Sequence, residues 1–224
     1  MKLLLTSGGI TNDTIKNALA DLVAKPFSET SLAFIPTAAD IEPYDKSWLV
    51  EDMYRCKNLG LKSIDIVDIS AIDQKSWEPR LKAADILFFG GGNTFHLMYW
   101  ITKSGLAKEL KSLLKNKVYA GISAGSMVAG KTVSLSDSKK LYYEDLFGYQ
   151  DERALGFVDF QIRPHLNSPH FPDVQEKRLR ELAKSAKEPV YAIDDNMALK
   201  VVDGKVEVVG EGKYLILNHS TQSN

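Results

Sequence analysis

Through the first half of the chain, apolar runs of strand length alternate with amphipathic stretches of helical length. Short, nearly continuous apolar runs bounded by turn formers predict strands near residues 2–6, 31–35, 63–67, 86–89 and 118–122. Between them, apolar residues recurring every three or four positions predict helices near 12–24, 44–58, 74–83 and 94–115, the last broken around Gly105. This alternation is the signature of an α/β fold around a mostly parallel sheet. Small or turn-forming residues follow four of the strands: Ser7-Gly8-Gly9, Pro36-Thr37-Ala38-Ala39, Gly90-Gly91-Gly92-Asn93 and Ser123-Ala124-Gly125. In such sheets ligands bind beyond the carboxyl ends of the strands, so these four loops are expected to face one crevice.

The second half is less regular. Further strands are predicted near 159–163 and 190–193, with a charged helix near 173–187 between them. Residues 198–202 and 205–209 read as a hairpin in which Asp203-Gly204 supplies a type I′ turn. Residues 133–151 show no clear period and are expected to form a loop over the active site. The tail from 219 to 224 reads as frayed, which leaves residues 1–218 as one catalytic domain.

Val118-Tyr-Ala-Gly-Ile-Ser-Ala-Gly-Ser126 carries the sharpest chemical signal, a strand that breaks at Ser123 inside a Gly-x-Ser-x-Gly frame. Gly121 and Gly125 let the backbone turn tightly so that the Ser123 hydroxyl projects from a strand-to-helix corner. Small residues at such a corner also serve close packing of helix on strand, so the frame alone leaves both roles open. A nucleophilic serine needs a base, and the chain offers His96, His165, His170 and His219. His165 ends a predicted strand and ranks first, with His170 second. Asp194 and Asp195 end another strand and Asp137 lies in the irregular segment, and each is a candidate for the acid that orients the base. An N–H from the Gly90–Asn93 loop and that of Ala124 are candidate oxyanion donors.

Composition narrows the classes. With 28 Lys plus Arg against 29 Asp plus Glu, the net charge is −1, and nothing electrostatic points to nucleic acid or an anionic membrane. No apolar run approaches the ~20 residues of a membrane span. Cys56 is the single cysteine, which excludes an intramolecular disulfide and fits a cytoplasmic location. No G-x-x-x-x-G-K-[ST] or H-E-x-x-H pattern occurs, so neither a nucleotide cofactor nor a metal is expected.

Taken together, Phe89-Gly-Gly-Gly-Asn-Thr-Phe95, Gly121-Ile-Ser-Ala-Gly-Ser126, Gln161-Ile-Arg-Pro-His165 and Ile193-Asp-Asp-Asn196 resemble the peptidase E family. That family contains the aspartyl dipeptidases and is related to the cyanophycinases. The resemblance implies a three-layer α/β sandwich similar to the class I glutamine amidotransferases (flavodoxin-like). It also implies a serine exopeptidase acting on dipeptides or short peptides, as monomer or homodimer, without a cofactor. A cyanophycinase-like or isoaspartyl hydrolase, an esterase, or a non-catalytic binding relative are the alternatives. By the same resemblance Ser123 is the nucleophile and His165 the base, Asp195 or Asp137 is the acid, and the amides of Gly91 and Ala124 form the oxyanion hole. Asp195 is preferred because a strand-end position is rigid. Gly92, Asn93 and Gln175 are the expected substrate contacts. Aspartyl dipeptidases carry an arginine for the substrate's aspartate where this chain has Gln175, and a neutral amide lacks a guanidinium's charge and bidentate geometry. An Asp-Xaa preference therefore does not transfer with the resemblance.

Overall fold

The computed structural model describes residues 1–218, so the tail at 219–224, including His219, lies outside the described residues. Five parallel strands form most of a seven-stranded sheet: β1 (Lys2–Thr6), β2 (Ser31–Ile35), β3 (Ser63–Ile66), β4 (Ile86–Phe89) and β5 (Val118–Ile122). The hairpin β8 (Met197–Val202) and β9 (Lys205–Gly210) adds two antiparallel strands beside β1, giving the order β3-β2-β4-β5-β1-β8-β9. Asp203 and Gly204 both have positive φ, 48° and 82°, as a type I′ turn requires. A second sheet orders β10 (Tyr214–Leu217), β7 (Val190–Ile193) and β6 (Gln161–Arg163). β10 is a strand that the sequence reading does not include: its run Tyr-Leu-Ile-Leu is apolar but only four residues long, and only Leu217 is buried.

Helices α1 (Asp13–Val23) and α2 (Ser47–Lys57) lie on one face of the large sheet. Helix α1 shows why the sequence folds this way. Asn12 caps it by accepting from Ile15 N–H, Ile15, Ala18, Leu19 and Leu22 form one buried stripe, and Ala24 ends it in left-handed backbone. The stripe meets Leu4, Leu32, Phe34 and Phe88, one side of the central strands. On the other face, Leu3, Leu5, Phe89 and Tyr119 pack against α3 (Gln74–Ala83), α4 (Thr94–Lys103) and α5 (Leu106–Leu113). Gly105, at φ 85°, separates α4 from α5 where the break is expected. Ile162, Tyr191 and Ile193 of the small sheet join this same cluster. The outer face of that sheet is covered by α8 (Glu176–Ala183) through Leu179 and Ala183.

Two expectations change. Helix α2 begins at Ser47, later than the pattern indicates, because Ile41–Lys46 form an irregular approach around Tyr44 in left-handed backbone. Residues 133–151 are not uniformly irregular: α7 (Leu135–Leu141) is capped by Ser134, and Leu141 and Tyr142 are buried. The remaining helix, α6 (Ala124–Met127), follows β5 directly. Among the described residues no helix is long and apolar enough to cross a membrane.

Leu5, fully buried on β1, is at the centre of this packing. Leu5→Ala is expected to cost about 3 kcal/mol in urea unfolding, whereas Val50→Ala, at an exposed site on α2, is expected to stay within about 0.5 kcal/mol of wild type.

Candidate active site

β4, β5 and β1 are neighbours in the sheet, and their carboxyl ends release Gly90–Asn93, Ser123 and Ser7–Gly9 side by side. Ser123 sits at φ 47° and ψ −108°, a strained backbone for a non-glycine residue. Its surroundings over-determine that conformation. Ser123 N–H donates to Thr6 O at 3.1 Å, and Ser123 O accepts from the N–H groups of Ser126 and Met127 at 2.9 Å each. The Ser126 hydroxyl bonds Thr6 O and Gly121 O at 2.7 and 2.9 Å. A Cβ added to Gly121 would lie 2.5 Å from Gly125 C, and one added to Gly125 would lie 2.2 Å from Phe89 O. Both glycines are therefore required by close backbone approach.

The hydroxyl of Ser123 lies 2.8 Å from His165 Nε2, and Nδ1 of the same ring lies 2.6 Å from Asp195 Oδ1. His165 itself has φ 64°, so its placement depends on tertiary contacts. Its ring stacks on Phe171 at 4.5 Å between centroids, and Tyr142 meets it edge-on at 6.3 Å. Burial opposes ionisation of Asp195, but the hydrogen bond and charge of His165 and the Ser7 hydroxyl outweigh it and hold the carboxyl at about 2. Asp195 is thus an anion throughout the neutral range.

Ser7 is the participant that residue patterns do not single out. Its hydroxyl donates to Asp195 Oδ1 at 2.8 Å and accepts from His165 N–H at 2.7 Å, so one oxygen ties the Asp195 carboxylate to the backbone of His165. The Ser7-Gly8-Gly9 turn is visible in sequence, but its contacts come from residues 158 and 188 positions away.

The other candidates lie elsewhere. Asp137 accepts from Arg163 Nη2 at 2.7 Å, both side chains largely buried, and the His165 ring faces Asp195 instead. His170 is exposed. His96 is buried on α4, which depresses its basicity, and its Nδ1 meets Tyr149 Oη at 3.1 Å. Cys56 is buried and burial pushes its thiol up, away from the thiolate a nucleophile needs. Among the described residues no group of three or more His, Cys, Asp or Glu side chains is arranged to hold a metal.

Gly91 borders Ser123: a Cβ built there would lie 3.6 Å from Ser123 Cβ. Gly92 has φ 124°, and any side chain would strike Ala38 O at 2.3 Å. Asn93 is fully buried; its Oδ1 caps α4 by accepting from His96 N–H at 3.0 Å and its Nδ2 donates to Asp145 O at 2.9 Å. Both ends of its side-chain amide thus help to hold the loop. Glu144 completes the clamp, with Oε1 accepting from Thr94 Oγ1 at 2.5 Å and from Thr94 N–H at 3.2 Å. The 133–151 segment therefore reaches the crevice by fixed contacts at both the glycine loop and, through Tyr142, His165. Gln175 is exposed at the start of α8 and makes no capping hydrogen bond.

Residues 3–209 match the description of Peptidase family S51. The protein named Peptidase E in Shewanella oneidensis is 31% identical over 201 residues, covering 83% of this chain and 82% of that one. Peptidase E of Streptomyces coelicolor is 27% identical over 201 residues, covering 86% and 80%. A crystal structure of a candidate peptidase E from Listeria monocytogenes EGD-e shares the fold, with a TM-score of 0.78 at 21% identity over 94% of this chain and 98% of that one.

Burial pushes the Glu144 carboxyl from 4.5 up to about 7, against the Thr94 hydrogen bonds that favour the anion. The folded protein keeps this proton while the unfolded chain releases it, so Glu144's contribution to stability falls as pH rises from about 4.5 to 7. In Glu144→Gln the thermal midpoint is expected to lose less over that interval than in wild type; equal slopes would contradict the assignment.

Proposed function

The chain belongs to peptidase family S51, and from that membership and the geometry of the crevice we propose that it is a serine exopeptidase for dipeptides or short peptides, with residues 1–218 as one catalytic domain. The observation that carries this reading is the unbroken line from Asp195 through His165 to Ser123, at 2.6 and 2.8 Å. A serine hydroxyl is a poor nucleophile until a base takes its proton as it attacks. His165 Nε2 is within reach of that proton, and Asp195 on Nδ1 selects the tautomer that leaves Nε2 free to accept.

Attack of Ser123 Oγ on the scissile carbonyl transfers the hydroxyl proton to His165 and places a negative charge on the carbonyl oxygen. The N–H groups of Gly91 and Ala124 flank Ser123 and are the donors for that oxyanion. A donor of this kind supplies about 3 kcal/mol in the transition state. Collapse of the intermediate expels the amine, which takes the proton from His165 and leaves an acyl-enzyme on Ser123. Water, deprotonated by the same ring, then releases the acyl product. Asp195 stays ionised throughout and stabilises the imidazolium. In this reading Ser7 is a positioning residue, acting on the reaction through His165 and Asp195.

Ser123→Ala is expected to lower kcat on a cleaved dipeptide by about 10⁴-fold or more, and Asp195→Asn by about 10⁴-fold. Ser7→Ala is expected to lower it by about 10-fold, the scale of losing a supporting hydrogen bond behind a catalytic ligand. Asp137→Asn is expected to keep kcat but reduce the unfolding midpoint, because Arg163 loses its partner. Turnover unchanged by Ser123→Ala would overturn the mechanism, and a collapse of kcat in Asp137→Asn with activity retained in Asp195→Asn would move the acid to Asp137.

A further inference from the structure

Helix α2 carries one stripe, Trp48, Asp52 and Arg55, across the carboxyl ends of the catalytic strands. A Cβ placed on Gly91 would lie 3.8 Å from Trp48 Cζ3 and 3.6 Å from Ser123 Cβ, so indole and nucleophile flank the same point. One turn on, Asp52 Oδ1 lies 3.3 Å from the Cβ position of Gly9, and Arg55 Nη1 donates to Gly8 O at 2.8 Å. The helix thus spans from the β4 loop to the β1 loop, with Ser123 of β5 between them. It forms one wall of the crevice, and its aromatic end abuts the glycine loop.

The wall has a polarity. Trp48 keeps 38% of its surface exposed, although it packs beside a buried loop. Arg55, the cation of the stripe, is held by Gly8 O and by Glu51 Oε1 at 3.2 Å. Asp52, a second carboxyl beside Arg55 at 3.8 Å, is buried, which leaves Glu51 as the exposed carboxyl of this stretch. An acidic substrate side chain would meet the Glu51 carboxyl and a committed guanidinium here, whereas an apolar one would cover the indole and release water from both.

The order of the loops fixes which substrate residue this is. His165, Ser7 and Asp195 stand on the β1 side of Ser123, and the leaving amine takes its proton from His165. The amine half therefore departs on that side, and the acyl half remains on the β4 side with Gly91 and Trp48. Resting on the serine-exopeptidase reading, we infer that Trp48 is the specificity-determining wall for the first residue of the substrate. The substrate class is dipeptides or short peptides that begin with a bulky apolar or aromatic residue, in place of aspartate.

The test is kcat/KM for Phe-Ala, Leu-Ala, Ala-Ala and Asp-Ala with wild type, Trp48→Ala and Trp48→Phe. Wild type is expected to favour Phe-Ala and Leu-Ala over Asp-Ala by about 10-fold or more. Trp48→Ala is expected to lose about 10- to 100-fold on those two, to stay within about twofold on Ala-Ala, and Trp48→Phe to recover most of the loss. Asp-Ala as the best wild-type substrate, or an equal loss on Phe-Ala and Ala-Ala in both variants, would overturn the inference. If Trp48→Ala does not fold, the wild-type ranking and Trp48→Phe decide it. Failure of the underlying reading has a different appearance, namely turnover that survives Ser123→Ala or no turnover of any of the four.

Discussion

The 2.6 Å hydrogen bond between His165 and Asp195 is the interaction on which the arrangement of the crevice turns. Four separate stretches of chain meet around it: the ends of β1, β5 and β7 and the loop that follows β6. None of Ser7, Ser123, His165 and Asp195 is a sequence neighbour of another; the nearest two are 30 positions apart. His165 occupies left-handed backbone that a histidine does not adopt without support, and the support comes from Ser7, Phe171 and Tyr142. Asp195 remains an anion down to about pH 2, so the acceptor facing His165 Nδ1 stays charged across the neutral range.

The elbow at Ser123 is the matching constraint on the other side. Strain at a serine persists only where neighbouring structure leaves no alternative, and here the backbone of Thr6, Phe89 and Gly125 closes around it. That closeness is available because β5 is buried on both faces between β4 and β1. The sheet therefore does two things at once: it provides the core, and it holds Ser123 in a geometry that an isolated turn would relax.

Much of this was legible in the order of residues. The five parallel strands, the hairpin with its Asp-Gly turn and the break at Gly105 follow from local apolar period and turn chemistry, which act over a few residues. Ser123, His165 and Asp195 each follow a strand end, which marks them as loop candidates, although β5 belongs to the large sheet and the parallel pair β6 and β7 to the small one. Other features needed tertiary information. Ser7 is an ordinary turn residue until partners from the far end of the chain arrive. Asp137 is as good an acid on paper as Asp195, and only packing reveals that Arg163 occupies it. Asn93 reads as a loop residue open to ligand, yet both ends of its amide are committed to backbone. Strand β10 is an apolar run of only four residues, and its place beside β7 is set by tertiary pairing.

Whether Ser123 is the activated hydroxyl of the folded protein decides the mechanism. A fluorophosphonate reacts with a serine activated by a neighbouring base, and peptide mass mapping locates the adduct. A single adduct is expected on Ser123 that forms with native protein, is greatly slowed in His165→Ala and does not form with denatured protein. Native protein that carries no adduct on Ser123, or carries it on another serine, would contradict it.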